Sequence, residues 1–220
     1  LNPAPLFHFH QARLGYGPSA LFENLTLSIA EGEQVALLGP SGSGKSTLLA
    51  ALREQRQDQC AWCPQQGALV PMLSVFHNIH MGALHRYGTW HNLRTLIRPA
   101  AADRARVAEL TGLLGIGEKL FTSVDRLSGG QAQRTALGRA LYSERPVLLA
   151  DEPVSNLDEH QGLDLVRLAL QRHRGAVVAM HDRALALACF QRIIGLRDGA
   201  VVLDAAADQL SLAELDELYR

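Results

Sequence analysis

The sequence predicts an α/β fold built on a largely parallel sheet covered on both faces, and three observations lead there. Short, nearly all-apolar stretches such as Gln34 to Leu38 and Val147 to Ala150 have the length and composition of strands buried on both sides. Segments of helical periodicity alternate with them, as a parallel sheet with crossover helices requires. A glycine-rich run starting at Gly39 joins one such strand to a helix, at the sheet edge where folds of this class hold ligands.

Along the chain, Phe7-His8-Phe9-His10 alternates with period two, which makes Leu6 to Leu14 a strand, and Leu25 to Ile29 repeats the pattern. Glu31-Gly32-Glu33 is a turn before the strand Gln34 to Leu38. Ser46 to about Gln55 reads as a helix with Leu48, Leu49 and Leu52 on one face, and a further strand lies near Cys60. From Val70 to about Val124 the periodicity is helical, punctuated by Pro71 and Pro99 and clearest over Asp103 to Leu114. A helix follows Gly129-Gly130 as far as Tyr142. Then come strand Val147 to Ala150, helix His160 to Gln171, strand Ala176 to Met180, helix Arg183 to Phe190 and strand Arg192 to Gly195. We expect a single domain over 1–220, its core formed by 1–65 and 140–220 and interrupted by a helical subdomain over 66–139.

With 220 residues, 47% apolar and 20% charged, the chain can bury a sizeable core and is no candidate for disorder. A formal net charge of −1 supplies no field that would draw it to nucleic acid or anionic lipid. No apolar stretch reaches the roughly 18 residues of a spanning helix, and Leu1-Asn2-Pro3 does not open a secretory signal. Three cysteines, Cys60, Cys63 and Cys189, are too few for a disulfide scaffold and fit a reducing cytoplasmic setting. Cys60 and Cys63 form a C-x-x-C pair, but on a strand positions three apart face opposite sides, which suits core packing better than shared metal ligation.

Gly39-Pro40-Ser41-Gly42-Ser43-Gly44-Lys45-Ser46-Thr47 matches G-x-x-x-x-G-K-[ST] between a buried strand and an amphipathic helix. Glycines let the backbone curl so that successive N–H groups point at phosphate oxygens, and the helix start adds partial positive charge. Lys45 is expected to neutralise the β- and γ-phosphates of ATP, and the Ser46 hydroxyl to ligate Mg²⁺. The loop alone is equally compatible with kinases and GTPases.

Val147 to Ala150 runs straight into Asp151-Glu152, which puts two carboxylates at the carboxyl edge of the sheet. Asp151 is expected to hold Mg²⁺ through its water shell, and Glu152 to orient or deprotonate the attacking water. Leu127-Ser128-Gly129-Gly130-Gln131 narrows the class further. Ser128 can cap the helix that follows, and the two glycines bare its N-terminus for an anion. It is a second phosphate-binding device in the chain, and the two devices need not face one nucleotide.

With these motifs in this order, the chain resembles the ATP-binding cassette family, specifically the ATPase subunits of bacterial importers, from about Leu6 to Arg220. The resemblance implies a RecA-like P-loop NTPase core. It also implies that Tyr16 stacks on adenine and that Gln65, in Pro64-Gln65-Gln66, senses Mg²⁺ and the γ-phosphate, with Gln66 the alternative if the alignment slips by one. Leu127 to Gln131 matches the signature motif that closes over ATP held by a second copy. Ser155-Asn156-Leu157-Asp158 matches the loop that crosses that interface, and His181 matches the switch histidine at the γ-phosphate. Leu69 to Val75, Thr89-Trp90 and the ending Glu214 to Tyr219 look like phosphonate-importer ATPases. The implied partners are a second copy, permease subunits and, indirectly, a solute-binding protein, with the chain peripheral on the inner face of the cell membrane. The implied cofactors are ATP and Mg²⁺.

One departure is plain. Only twenty positions separate Lys45 from Gln65, about half of what importer ATPases spend on a helix, an antiparallel strand pair and a second helix. Once a helix of at least ten residues is placed, too few remain, because strands average about 5–6 residues. A reduced antiparallel β-subdomain beside the adenine is therefore expected. A soluble ATPase acting on a phosphorus-metabolism enzyme complex is the alternative to an importer subunit.

Overall fold

The computed structural model describes residues 5–16, 19–66 and 69–219. Two long antiparallel strands come first, β1 (Pro5–Tyr16) and β2 (Ser19–Ala30). Among the described residues they pair only with each other, with Phe7 opposite Ile29 and Phe9 opposite Leu27. Pairing extends both beyond the alternating stretches that mark them in the sequence.

β3 (Gln34–Leu38) leads through the glycine-rich loop into α1 (Lys45–Gln55), and a three-residue 3-10 turn, Gln57–Gln59, is all that lies between α1 and β4 (Cys60–Cys63). The expected trimming is thus observed: the separate antiparallel sheet has two strands, and the one strand between Lys45 and Gln65, β4, belongs to the parallel sheet. Helices α2 (Val75–His80), α3 (Thr89–Ile97) and α4 (Ala101–Leu113) follow, with 3-10 turns between and after them, and then α5 (Gly129–Tyr142). β5 (Val147–Asp151), α6 (Glu159–Gln171), β6 (Gly175–Ala179), α7 (Arg183–Cys189) and β7 (Arg192–Arg197) complete the alternation. β8 (Ala200–Ala206) and α8 (Leu212–Glu217) end the described chain, and sequence periodicity had assigned neither.

The main sheet has the order β4-β5-β6-β3-β7-β8, parallel throughout except for β8, which runs antiparallel to β7 at the edge. Alternate residues of each central strand enter two different cores. Ala36, Leu38, Leu148, Ala150 and Val178 face the cluster under α2 and α4–α8. Val35, Leu37, Leu149, Val177 and Ile194 face Leu48, Leu49 and Leu52 of α1 and the apolar side of the β1–β2 hairpin. One face is therefore covered by helices and the other by a single helix with a hairpin. Cys60 and Cys63 belong to opposite clusters, as their spacing on a strand dictates.

Strand order also sets the functional layout. The ends of β4, β5, β6 and β3 lie side by side in that sequence, so whatever follows each strand meets its neighbours along one rim.

Candidate active site

The loop after β3 needs its glycines. Gly39 has φ 149°, and a Cβ there would sit 2.1 Å from the Leu196 carbonyl oxygen; at Gly44, φ 109°, it would sit 2.5 Å from the Phe22 ring. Sheet and hairpin thus clamp the loop from both sides. Gly42 has φ 83°, while Pro40, Ser41 and Ser43 complete the curl, with Ser43 N–H donating to the Pro40 carbonyl at 3.2 Å.

Lys45 opens α1 and is buried. Its ammonium donates to the Gly39 carbonyl at 2.7 Å and to that of Pro40 at 3.1 Å, so the lysine lies inside its own loop. Burial lowers its pKa, opposed by the nearby Glu152 and Asp151 carboxylates. Ser46 donates its hydroxyl proton to Asp151 Oδ2 at 2.5 Å, tying the loop to the end of β5. Burial raises the Asp151 pKa, and the Ser46 hydrogen bond works against that shift. Thr47 lies partly buried in the first turn of α1.

Glu152 follows with φ 51°, a left-handed conformation that costs a non-glycine residue roughly 1 kcal/mol or more. Its N–H donates to the Ala179 carbonyl at 2.9 Å, which fixes the bend, and its Oε1 lies 2.7 Å from Nε2 of His181. His181 comes two residues after β6, between β5 and β3 in the sheet. Lys45, Ser46, Asp151, Glu152 and His181 are therefore brought together, as the motifs imply.

Gln65, exposed just after β4, lines a cavity of about 620 Å³ with Gln66, Asp151, Glu152, Gly129 and Gln133. The side chain of Tyr16 lies outside the described residues.

Ser128 caps α5 reciprocally: its hydroxyl accepts from the Gln131 N–H at 3.3 Å, and the Gln131 side-chain oxygen accepts from the Ser128 N–H at 3.1 Å. Gly129 is exposed, and Gly130 backs onto the Asn156-Leu157 segment, where a Cβ would meet Leu157 at 3.2 Å. Asp158 caps α6 by accepting from the Gln161 N–H at 2.9 Å. Among the described residues, no hydrogen bond or ion pair links Ser128 to Gln131, or Asp158, to the loop 39–47. Both glycine-containing turns form, and among the described residues no hydrogen bond or ion pair joins them.

Sequence reasoning missed two residues. Gln133 donates from Nε2 to the Glu152 carbonyl at 2.5 Å and to Ser155 Oγ at 3.0 Å, and its Oε1 accepts from the Asn156 N–H at 3.1 Å. It couples α5 to the bend that holds Glu152; its place four residues after Gly129, on the same helix face, is the signal that could have found it. Tyr219, near the far end of the chain, accepts from the Gly39 N–H at 3.1 Å while Arg183 sits over its ring at 5.2 Å. No local signal announces a contact across 180 positions.

Residues 22–60 and 52–155 match the family model described as ABC transporter. The two matched pieces meet where α1 joins β4, at the shortened connection. The chain is 36% identical over 244 residues to a phosphonates import ATP-binding protein (PhnC) of Anaeromyxobacter dehalogenans, with 99% of this chain and 49% of that protein covered, so it spans about half of that relative's length. It is 35% identical over 242 residues to the protein of the same description in Pseudomonas putida, covering 96% and 89%. Among solved structures, a dimeric bacterial ABC transporter cassette superposes with a TM-score of 0.74 at 27% identity, over 89% of this chain and 95% of that one. A nucleotide-free ATP-binding cassette, at 17% identity and a TM-score of 0.73 over 94% and 96%, shares the fold. Motif order, rim geometry, family match and relatives agree: the chain belongs to the ABC transporter family.

Proposed function

We propose that this chain is the ATP-binding and ATP-hydrolysing subunit of an ABC importer and that it works as a pair of copies. The observation that carries this reading is the rim itself: a lysine inside a phosphate loop, a serine–aspartate oxygen pair and a glutamate–histidine pair on adjacent strand ends. Lys45 and the loop N–H groups hold the triphosphate. The Ser46 hydroxyl and the Asp151 carboxylate are hard oxygen donors already in contact, a donor set that fits Mg²⁺. When bound, that ion supplies positive charge against the phosphate oxygens. Glu152 orients the attacking water and accepts its proton, and His181 holds the carboxylate in place. Gln65 is assigned to the far side of the same cavity.

Because Ser128 to Gln131 and Asp158 stay clear of the chain's own loop, we assign them to the nucleotide of a second copy. The solved dimeric cassette to which the chain is similar supports that pairing. The relatives named for phosphonate import support phosphonate, or a related phosphorus oxyanion, as the solute. We further propose that segment 66–139 is the lobe that meets a membrane permease from the cytoplasmic side. It carries Met72, Trp90 and Ile97, which are 86%, 82% and 87% exposed, an apolar concentration that fits a partner surface. No helix among the described residues is long and apolar enough to cross a membrane.

The test is Glu152→Gln. The variant should bind ATP as the parent does and release phosphate at least about 100-fold more slowly, the scale of a positioned base. Undiminished hydrolysis would remove Glu152 from its assigned role.

A further inference from the structure

α3 is weakly attached to the rest of the protein. Of its nine residues only Thr95 is buried, while Trp90, Leu93, Leu96 and Ile97 are exposed. Asn92 ties it to the preceding turn by donating to the Leu84 and Tyr87 carbonyls, and one cluster of titratable groups joins it to α2 and α4. His80 at the end of α2, His91 on α3 and Asp103 on α4 place one nitrogen or oxygen each within 4.8 Å of one another.

His91 Nε2 lies 2.9 Å, and His80 Nε2 3.8 Å, from the same Asp103 oxygen, Oδ2. The other carboxylate oxygen accepts a hydrogen bond from the Tyr87 hydroxyl at 3.3 Å, which orients the group from behind. His80 is 3% exposed and Asp103 4%. The His80 ring stacks on Phe76 at 5.8 Å and on Tyr87 at 5.6 Å. Its Nε2 nevertheless has no hydrogen-bond partner among the described residues. A buried imidazole nitrogen aimed at a carboxylate but too far away to bond it is costly unless something lies between them.

We propose that His80 Nε2, His91 Nε2 and Asp103 Oδ2 form a Zn²⁺ site that pins α3 to α2 and α4. Tetrahedral zinc, with bonds of about 2.0–2.2 Å, sets ligand atoms roughly 3.3 Å apart, a value that the observed 2.9 and 3.8 Å bracket. Two imidazoles and one carboxylate suit zinc and leave a fourth position for water. The site lies in the helical segment, separate from the rim that holds Lys45 and Asp151, and it does not depend on the proposed ATPase activity.

The test titrates metal-stripped, nucleotide-free protein with Zn²⁺ by calorimetry and with Co²⁺ by visible absorption. The expected result is one saturable equivalent, tetrahedral cobalt bands, and slower amide hydrogen exchange across 89–97 when zinc is added. His91→Ala, whose ring is 36% exposed and therefore tolerates removal, should bind at least about 100-fold more weakly. His80→Phe, which keeps the ring stack, should do the same, while the exposed His85→Ala should bind as the parent does. If the parent shows no saturable equivalent, or if the His80→Phe/His91→Ala double variant binds as tightly as the parent, the site does not exist and the cluster is only a histidine–aspartate pair.

Discussion

The contact between Tyr219 and the phosphate loop turns a distant residue into a support for nucleotide binding, and Tyr219→Phe isolates it. The substitution removes one hydroxyl and leaves the ring beneath Arg183. What is lost is the acceptor, at 3.1 Å, for the Gly39 N–H, the first amide of the loop. A hydrogen bond of this kind contributes about 1 kcal/mol net, and a half-buried donor left without a partner costs up to about 3 kcal/mol. For a chain of this length, about 1 kcal/mol lowers the melting temperature by roughly 2–4 °C. The loop has few ways to recover, because Gly39 is pressed against the Leu196 carbonyl. Part of the loss should therefore appear as a looser loop, with ATP affinity down roughly five-fold if about 1 kcal/mol reaches the bound state. Burial raises the Tyr219 pKa, so the phenol stays protonated and the effect should be flat with pH across the neutral range. Differential scanning fluorimetry and binding of a fluorescent ATP analogue read both quantities. If Tyr219→Phe melts and binds as the parent does, the contact does not hold the loop and the reasoning fails.

Asp151→Asn should abolish hydrolysis yet raise the melting temperature at neutral pH. A carboxyl whose pKa is raised on folding lowers stability as pH climbs from its unfolded to its folded pKa, so the variant's advantage should shrink on acidification through the carboxylate range. Melting curves between pH 4 and about 8 would show the gap close, and a variant less stable at every pH would contradict the burial argument. Gly44→Ala puts a methyl group against the Phe22 ring at a left-handed φ, so it should destabilise the protein by about 1–3 kcal/mol and weaken ATP binding; unchanged urea unfolding would refute the clamp. Burial pushes the Cys60 and Cys63 thiols up to about 11 and about 12, and the half-buried Cys189 should react first with iodoacetamide at pH 8, as peptide mass spectrometry would show.

Where a motif and a buried strand coincide, the fold was legible from the residues. β3 and β5 are short apolar runs that end in Gly39 and in Asp151-Glu152, and their rim positions followed directly. The shortened link between α1 and β4 was legible by counting positions. β8 escaped because its residues, nearly all apolar, show no alternation with polar ones, although as an edge strand it leaves Ala200, Val202 and Asp204 exposed. α8 escaped because six residues hold less than two turns; its sign is the Ser211–Glu214 capping box. Motif identity placed Glu152 and His181 at one site without foretelling their contact, whereas Gln133 and Tyr219 act through packing between distant segments, which no local pattern encodes. The reciprocal Ser128–Gln131 cap showed that the Gln131 side chain is turned back onto its own helix start.

In the proposed pair, each nucleotide is held between the loop of one copy and the serine–glycine turn of another. Two proteins carrying Glu152→Gln and Cys189→Ser can test it, one with Ser41→Cys and the other with Gly129→Cys, positions that are exposed and, at Gly129, free of any neighbour within 4 Å of a new Cβ. Mixed with a short bismaleimide, they should crosslink to a dimer when ATP and Mg²⁺ are present and remain monomers without them. Crosslinking that ignores ATP, or none at all, would contradict the shared site.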